Sequence, residues 1–196
     1  MGSLLATFSA ALEARDPYLR GHSVRVTTIA EGLARRLGWG GERLDALRLG
    51  GSLHDVGKIA VNVSVLCKPG PLTEAERAQI ETHPVAGARL IEAVADFRPA
   101  MPYVLHHHER WDGAGYPHRL GGETIPVEAR LLGVADAFDA MTSVRAYRPA
   151  LSVDQALAEL QRCAGSQFDP ELAETFVDGW RNGDIAVARS PLGIAI

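Results

Sequence analysis

The sequence predicts an all-α fold, one domain of about seven to eight helices. Apolar residues recur at helical spacing nearly throughout the 196-residue chain, and no stretch alternates with period two. Prolines, glycines and capping pairs fall between helix-length segments, where they serve as stops and starts. A 46% hydrophobic content suits a single packed globule.

Leu4, Leu5, Phe8 and Leu12 mark a first helix, read over residues 1–15, that stops before Asp16-Pro17. A second follows His22, with Val26, Ile29, Leu33 and Leu37 on one face and Gly38 as its stop. A third runs through Leu44 and Leu47 to Leu53 and carries His54-Asp55 near its end. Ala60 to Pro71 reads as an ordered loop. Thr73 and Glu76 form a capping box that starts a short helix through Ile80. Pro84 suits the first turn of the next helix, expected to bury Val85, Ala88, Ile91 and Val94. Another covers Met101 to Glu109. Trp111 to Pro126 holds too many glycines and prolines for a helix. Pro126 to Met141 is apolar nearly all round and is expected to be the central buried helix. Ser152 with Gln155 caps the next helix, and Asp169-Pro170 starts a last one through Phe176 and Trp180.

Composition narrows the function classes. Twenty Lys+Arg against 24 Asp+Glu leave a net charge of −4, which argues against a basic face for DNA or RNA polymers. There is no apolar run of about 18 residues to span a membrane. Two cysteines without a staple pattern point to a reducing, cytoplasmic setting.

The seven histidines are the informative residues. His54-Asp55 closes an apolar helix, where the ordinary reading is a capping pair and the functional one a metal site. His106-His107-His108 cannot share one helix face, so packing gives them no reason; a solvated stripe is the alternative to a metal. Asp136 lies inside the most apolar helix, where a carboxylate must be neutralised, hydrogen-bonded or bound to a cation. His22 and His83 each precede a helix. Singly each reads as a cap or loop histidine; together with the two aspartates they make the imidazole and carboxylate mixture that suits iron, manganese or zinc. Two divalent ions would leave such a site net positive and able to clamp a phosphodiester, with a metal-bound hydroxide as nucleophile.

The chain resembles the HD-GYP family, a branch of the HD-domain metallophosphohydrolases. The resemblance rests on Asp16-Pro17-Tyr18-Leu19-Arg20-Gly21-His22, His54-Asp55-Val56-Gly57-Lys58-Ile59, Leu66-Cys67-Lys68-Pro69-Gly70 and His83-Pro84. It continues in His107-His108-Glu109-Arg110-Trp111-Asp112-Gly113-Ala114-Gly115-Tyr116-Pro117, Ala135-Asp136-Ala137-Phe138-Asp139-Ala140-Met141-Thr142-Ser143 and Gln167-Phe168-Asp169-Pro170.

This resemblance implies a single HD-type helical domain over residues 1–196 built around a metal centre. It implies a phosphodiesterase that hydrolyses cyclic di-GMP to linear pGpG, with GMP as the product of a second round, using a metal-bridging hydroxide as nucleophile. His22, His54, Asp55, His83, His107, His108 and Asp136 are the implied ligands of two divalent ions, iron first and manganese or others in its place. Asp55 is the implied bridge, and Lys58 holds the phosphate or the attacking water. Tyr116, Asp139, Arg145 and Arg148 are the implied substrate contacts, although packing alone also accounts for Tyr116.

Tyr18 stands where some members carry a glutamate that helps hold a third metal, which favours two ions. Asn62-Val63, Val144 and Ala146 also depart from common family residues. His106 and His118 fall outside the ligand set and read as partly exposed and structural. The alternatives are hydrolysis of another cyclic dinucleotide or nucleotide, and a low-turnover cyclic di-GMP sensor or interaction module. The first helix is expected to continue from an upstream sensor or receiver domain and to support a homodimer.

Overall fold

Residue 7, residues 20–144 and residues 149–186 are described in the computed structural model. The expected first helix (apart from Thr7), Tyr18, Arg145, Ala146 and Arg148 lie outside the described residues. The helices are α1 (His22–Arg36), α2 (Gly41–Leu53), α3 (Val63–Leu66), α4 (Glu74–Ile80), α5 (His83–Glu92), α6 (Met101–His106), α7 (Val127–Thr142), α8 (Val153–Arg162) and α9 (Pro170–Arg181). Short 3-10 segments occupy Val56–Ala60, Ala95–Ala100 and Gly122–Thr124. Among the described residues there is no strand, only an isolated bridge between Ala164 and Phe168. Nor is any described helix long and apolar enough to cross a membrane.

Local chemistry explains the boundaries. Thr73 accepts from the Glu76 backbone N–H at 3.3 Å while the Glu76 carboxylate accepts from the Thr73 backbone at 2.7 Å, so α4 starts on a complete capping box. Ser152 and Gln155 do the same for α8. Asp169 accepts from the Glu171 and Leu172 backbone N–H groups, and Pro170 opens α9.

Two apolar clusters hold the helices other than α3 and α4 together. The larger joins α1, α2, α6, α7, α8 and α9 through Ile29, Leu33, Leu47, Tyr103, Leu131, Phe138, Leu160 and Phe176. Phe138 lies at its middle, with ring centroids 5.0 Å from Phe176 and 4.5 Å from Trp180. The smaller joins the end of α2 to α5 and α6 through Leu53, Val56, Ile91, Phe97 and Val104. Each such side chain contributes about 1.5–3 kcal/mol on burial. As its composition predicts, α7 is buried on several faces, including Leu131, Leu132, Val134 and Phe138.

Three local expectations need correction. The stretch read as a loop from Ala60 contains α3, capped by Asn62, whose side chain accepts from the Ser64 N–H at 3.0 Å. The buried stripe of α5 is His83, Gly87 and Ile91; Val85, Ala88 and Val94 are only half-buried. Gly87 interrupts the apolar pattern, yet the 3-10 segment at Gly57 packs against it. Finally, α6 stops at His106 rather than continuing to Glu109, because His107 turns its ring back on the helix's last carbonyls.

Candidate metal centre

The expected histidines lie at helix ends, where backbone carbonyls lack intrahelical partners. His54 caps the C-terminus of α2, and its Nδ1 lies 2.7 Å from the Gly51 carbonyl. His107 caps α6 and meets the Tyr103 and Val104 carbonyls at 2.9 and 3.1 Å. His83 opens α5, directly after α4, and meets the Ile80 carbonyl at 2.8 Å. A carbonyl only accepts, so Nδ1 donates in all three rings and Nε2 carries the lone pair.

Those lone pairs converge. His83 Nε2 and His107 Nε2 lie 3.3 Å apart, a repulsive approach for two neutral acceptors unless a cation or proton stands between them. His54 Nε2 is buried and has no hydrogen-bond partner, and neither has Asp55 Oδ1. Asp55 lies among them, 3% exposed. Its Oδ1 is 3.3 Å from His83 Nε2 and 3.9 Å from His107 Nε2. Its Oδ2 is 3.5 Å from His54 Nε2 and 3.8 Å from His22 Nε2. The ligand atoms form two sets, Asp55 with His83, His107 and His108, and Asp55 with His22 and His54, each spanning no more than 4.8 Å. Asp55 is common to both. This donor set fits divalent transition-metal ions, and a cation would satisfy the orphaned nitrogen and oxygen together.

The fourth imidazole, His22, is fixed differently. Its Nδ1 lies 2.8 Å from Asp139 Oδ2, and its Nε2 is 3.2 Å from Asp136 Oδ1. Asp139 in turn accepts from Arg25 Nε at 2.6 Å and Nη2 at 3.1 Å. Only 2% exposed and with both oxygens engaged, Asp139 lies behind His22 and not on the cleft. Expected as a substrate contact, Asp139 is brought by the structure against His22 and Arg25, where its carboxylate fixes the His22 ring. Arg25 escaped the sequence reading altogether. Its only sequence signal is the spacing of three from His22, which puts both on one face of α1.

Electrostatics separates the groups. Burial alone would raise Asp55, but the Lys58 ammonium and the surrounding imidazoles hold it well below the carboxylate range. Burial likewise opposes ionisation of Asp136, which the contact with His22 outweighs, lowering it. Desolvation lowers His54 and His107 and takes His108 down to about 3. His22 is also desolvated, yet Asp136 and Asp139 outweigh burial and raise it to about 9.

Close backbone approach makes this convergence possible. A Cβ on Gly57 would lie 1.9 Å from the His83 carbonyl oxygen and 2.5 Å from the Gly87 nitrogen. Only glycine lets the turn after Asp55 pack on the start of α5.

The centre opens into a cleft of about 380 Å³, lined by His22, Lys58, His108, Tyr116, Arg130 and Asp136 among others. Lys58 reaches Asp55 Oδ2 at 2.6 Å and keeps 19% of its side chain exposed. Tyr116 stacks on His108 with centroids 4.8 Å apart, and burial pushes its phenol up. Its loop hangs on Glu109, which accepts from the His118 N–H at 2.7 Å and the Leu120 N–H at 3.0 Å. His106 is half-buried and His118 exposed.

The HD domain family profile matches residues 6–172. A cyclic di-GMP phosphodiesterase response regulator of Xanthomonas campestris pv. campestris is 40% identical over 177 residues, covering 89% of this chain and 47% of that protein. A 3'3'-cGAMP-specific phosphodiesterase of Vibrio cholerae serotype O1 is 35% identical over 179 residues, covering 90% of this chain and 34% of that one. The chain thus spans less than half the length of these two relatives. Among solved structures, an HDG"Y"P protein of Bdellovibrio bacteriovorus superposes with a TM-score of 0.67 at 22% identity, over 82% of this chain and 51% of that one.

Proposed function

The chain belongs to the HD domain family and carries the motifs of its HD-GYP branch, and from that premise we propose that it is a metal-dependent phosphodiesterase hydrolysing cyclic di-GMP to linear pGpG and, in a second round, to GMP. The observation that carries this reading is the convergence of inward Nε2 atoms on one buried carboxylate at the floor of an open cleft. The proposed unit is a single domain over residues 1–196. His22, His54, Asp55, His83, His107, His108 and Asp136 would hold two divalent ions, iron first and manganese or another divalent ion in its place. When bound, such a pair supplies Lewis acidity to phosphoryl oxygens and acidifies water.

The remaining chemistry belongs to the chain's own residues. Asp55 divides its oxygens between the two ligand sets, which suits a bridging carboxylate. Lys58 offers its ammonium from beside Asp55 to the cleft, placed to meet a phosphate. Tyr116 and its loop form a wall that fixes how far the substrate enters. Arg145 and Arg148, outside the described residues, are proposed to meet the guanine and phosphate groups. Asp139 and Arg25 keep the His22 ring in place.

A second reading, cleavage of 3'3'-cGAMP, is favoured by the 35%-identical relative whose name gives that substrate. Product chromatography after incubating Mn2+- or Fe2+-loaded protein with each dinucleotide separates the two. We expect pGpG from cyclic di-GMP. Turnover of 3'3'-cGAMP alone replaces the first reading with the second, and tight binding without product over hours turns the enzyme into a sensor. The proposed cytoplasmic homodimer, driven by an upstream sensor or receiver domain, is tested by sedimentation of the longer protein. Monomer at high concentration would refute the dimer.

A further inference from the structure

Three ligand-type side chains near the central cluster are left unused by it. His106, at the last position of α6, Glu109, just beyond it, and His118, in the loop after Pro117, bring one ligand atom each within 4.8 Å of one another. They share no member with the two central sets.

Ordinary hydrogen bonding does not account for the arrangement. His106 Nδ1 is buried without a partner. Its distance to Glu109 Oε1, 3.8 Å, exceeds a hydrogen bond. The Glu109 side chain has no exposed surface, and each of its oxygens accepts one backbone N–H, leaving each a free lone pair. One of those N–H groups is that of His118, so the bond that anchors the loop also holds the His118 ring near the carboxylate. The two rings lie 5.3 Å apart between centroids. Two imidazoles therefore lie beside a buried carboxylate at distances longer than a hydrogen bond, around a point that a cation can share.

We propose that His106, Glu109 and His118 form a further binding site for one divalent transition-metal ion. Two imidazoles and one carboxylate with an open position is a donor set that suits zinc and tolerates its neighbours. Bonds of about 2.1 Å place tetrahedral ligands about 3.4 Å apart, so closure from separations of up to 4.8 Å requires a contraction of up to about 1.4 Å. The exposed His118 ring is the one free to supply it. An ion there ties the end of α6 to the loop that carries Tyr116, and so stiffens the cleft wall without joining the reaction.

Equilibrium dialysis of the chain against near-stoichiometric Zn2+, with metal counted per chain, tests the site. His118 is exposed, so His118→Ala leaves the fold alone, and it is expected to hold one ion fewer than the parent. The pair Asp55→Ala and Asp55→Ala with His118→Ala is expected to differ by the same one ion, because Asp55 belongs only to the central sets. That background keeps failure of this site distinct from failure of the central one. Equal metal counts within either pair overturn the proposal.

Discussion

On one side of the centre His54, His83 and His107 are held by main-chain carbonyls at the ends of α2, α4 and α6; on the other, His22 is held by Asp139, which Arg25 holds in turn. The first arrangement is part of the fold. It uses carbonyls that a helix end leaves free, so orientation costs no buried charge. The second introduces a buried carboxylate and needs a guanidinium to keep it there. Both aim Nε2 inward, but they leave the imidazoles in opposite electrostatic settings: burial lowers His54 and His107, whereas Asp136 and Asp139 raise His22. Orientation by backbone can be broken only by moving the backbone. Orientation by side chain can be broken one residue at a time.

The largest effect should come from the backbone side. Gly57→Ala drives a Cβ into the His83 carbonyl, and the Gly87 nitrogen closes the other escape. Overpacking of this kind costs about 3 kcal/mol or more when backbone is the obstacle. Urea unfolding is expected to show that loss, with metal uptake falling alongside it. A Gly57→Ala protein as stable as the parent would mean that the turn after Asp55 has room the structure does not show.

Lys58 touches the carboxylate that both sides share, so it tests the chemistry and not either means of orientation. Lys58→Met is expected to reduce turnover of the dinucleotide about 10²–10³-fold, the range for losing one well-placed electrostatic donor. Metal content is expected to stay at the parental level, because Lys58 is not a ligand. A loss of bound metal would show instead that the ammonium matters mainly by holding Asp55.

The side-chain half should yield to a subtler change. Asp139→Asn preserves shape but removes the charge that His22 Nδ1 and Arg25 share. A metal-binding residue's hydrogen-bond partner typically carries about 10–100-fold in metal affinity, so that reduction is expected, with little change in unfolding. Arg25→Ala removes only the outer partner and is expected to lower affinity by about 10-fold at most. Competitive chelator titration reads both. Equal effects from the two would mean that Asp139 orients His22 only while Arg25 holds it.

These contrasts also show why some of the site was legible and some was not. Thr73, Glu76, Ser152 and Gln155 announced their helices because a capping box closes within four residues. The helix-end histidines were visible because His54-Asp55 and His107-His108 are adjacent in sequence and His83 stands directly before Pro84, all of it local information. Arg25 and Asp139 are separated by 114 positions, and their pairing exists only once α1 packs on α7. Without that contact Asp139 looked available to substrate. Gly87 misled in the opposite sense. Hydrophobic periodicity counts side chains, so a glycine in the buried stripe of α5 reads as a gap although the 3-10 segment at Gly57 lies against it.

The smallest effect separates the two halves of the centre from general stability. Glu31 on α1 accepts from Arg48 on α2 at 2.9 and 2.7 Å and from Arg35 on its own helix at 2.6 and 3.1 Å. The network ties α1 to α2 without touching a proposed ligand. The Arg48 hydrogen bond, helped by Arg35, lowers Glu31 from 4.5 to about 2 against an opposing desolvation. Because the folded-state pKa is depressed, this contribution is fully present above pH 4.5 and is lost as pH falls through about 2. Both arginines are largely in solvent, so screening reduces the expected cost of Glu31→Gln at neutral pH to about 0.5 kcal/mol. Urea unfolding at neutral pH and near pH 3 is expected to show the gap between variant and parent narrowing with acid, while metal affinity at neutral pH stays unchanged. A Glu31→Gln protein that lost metal affinity would show that the α1–α2 contact itself positions His22, and the side-chain half would then depend on the fold as directly as the backbone half does.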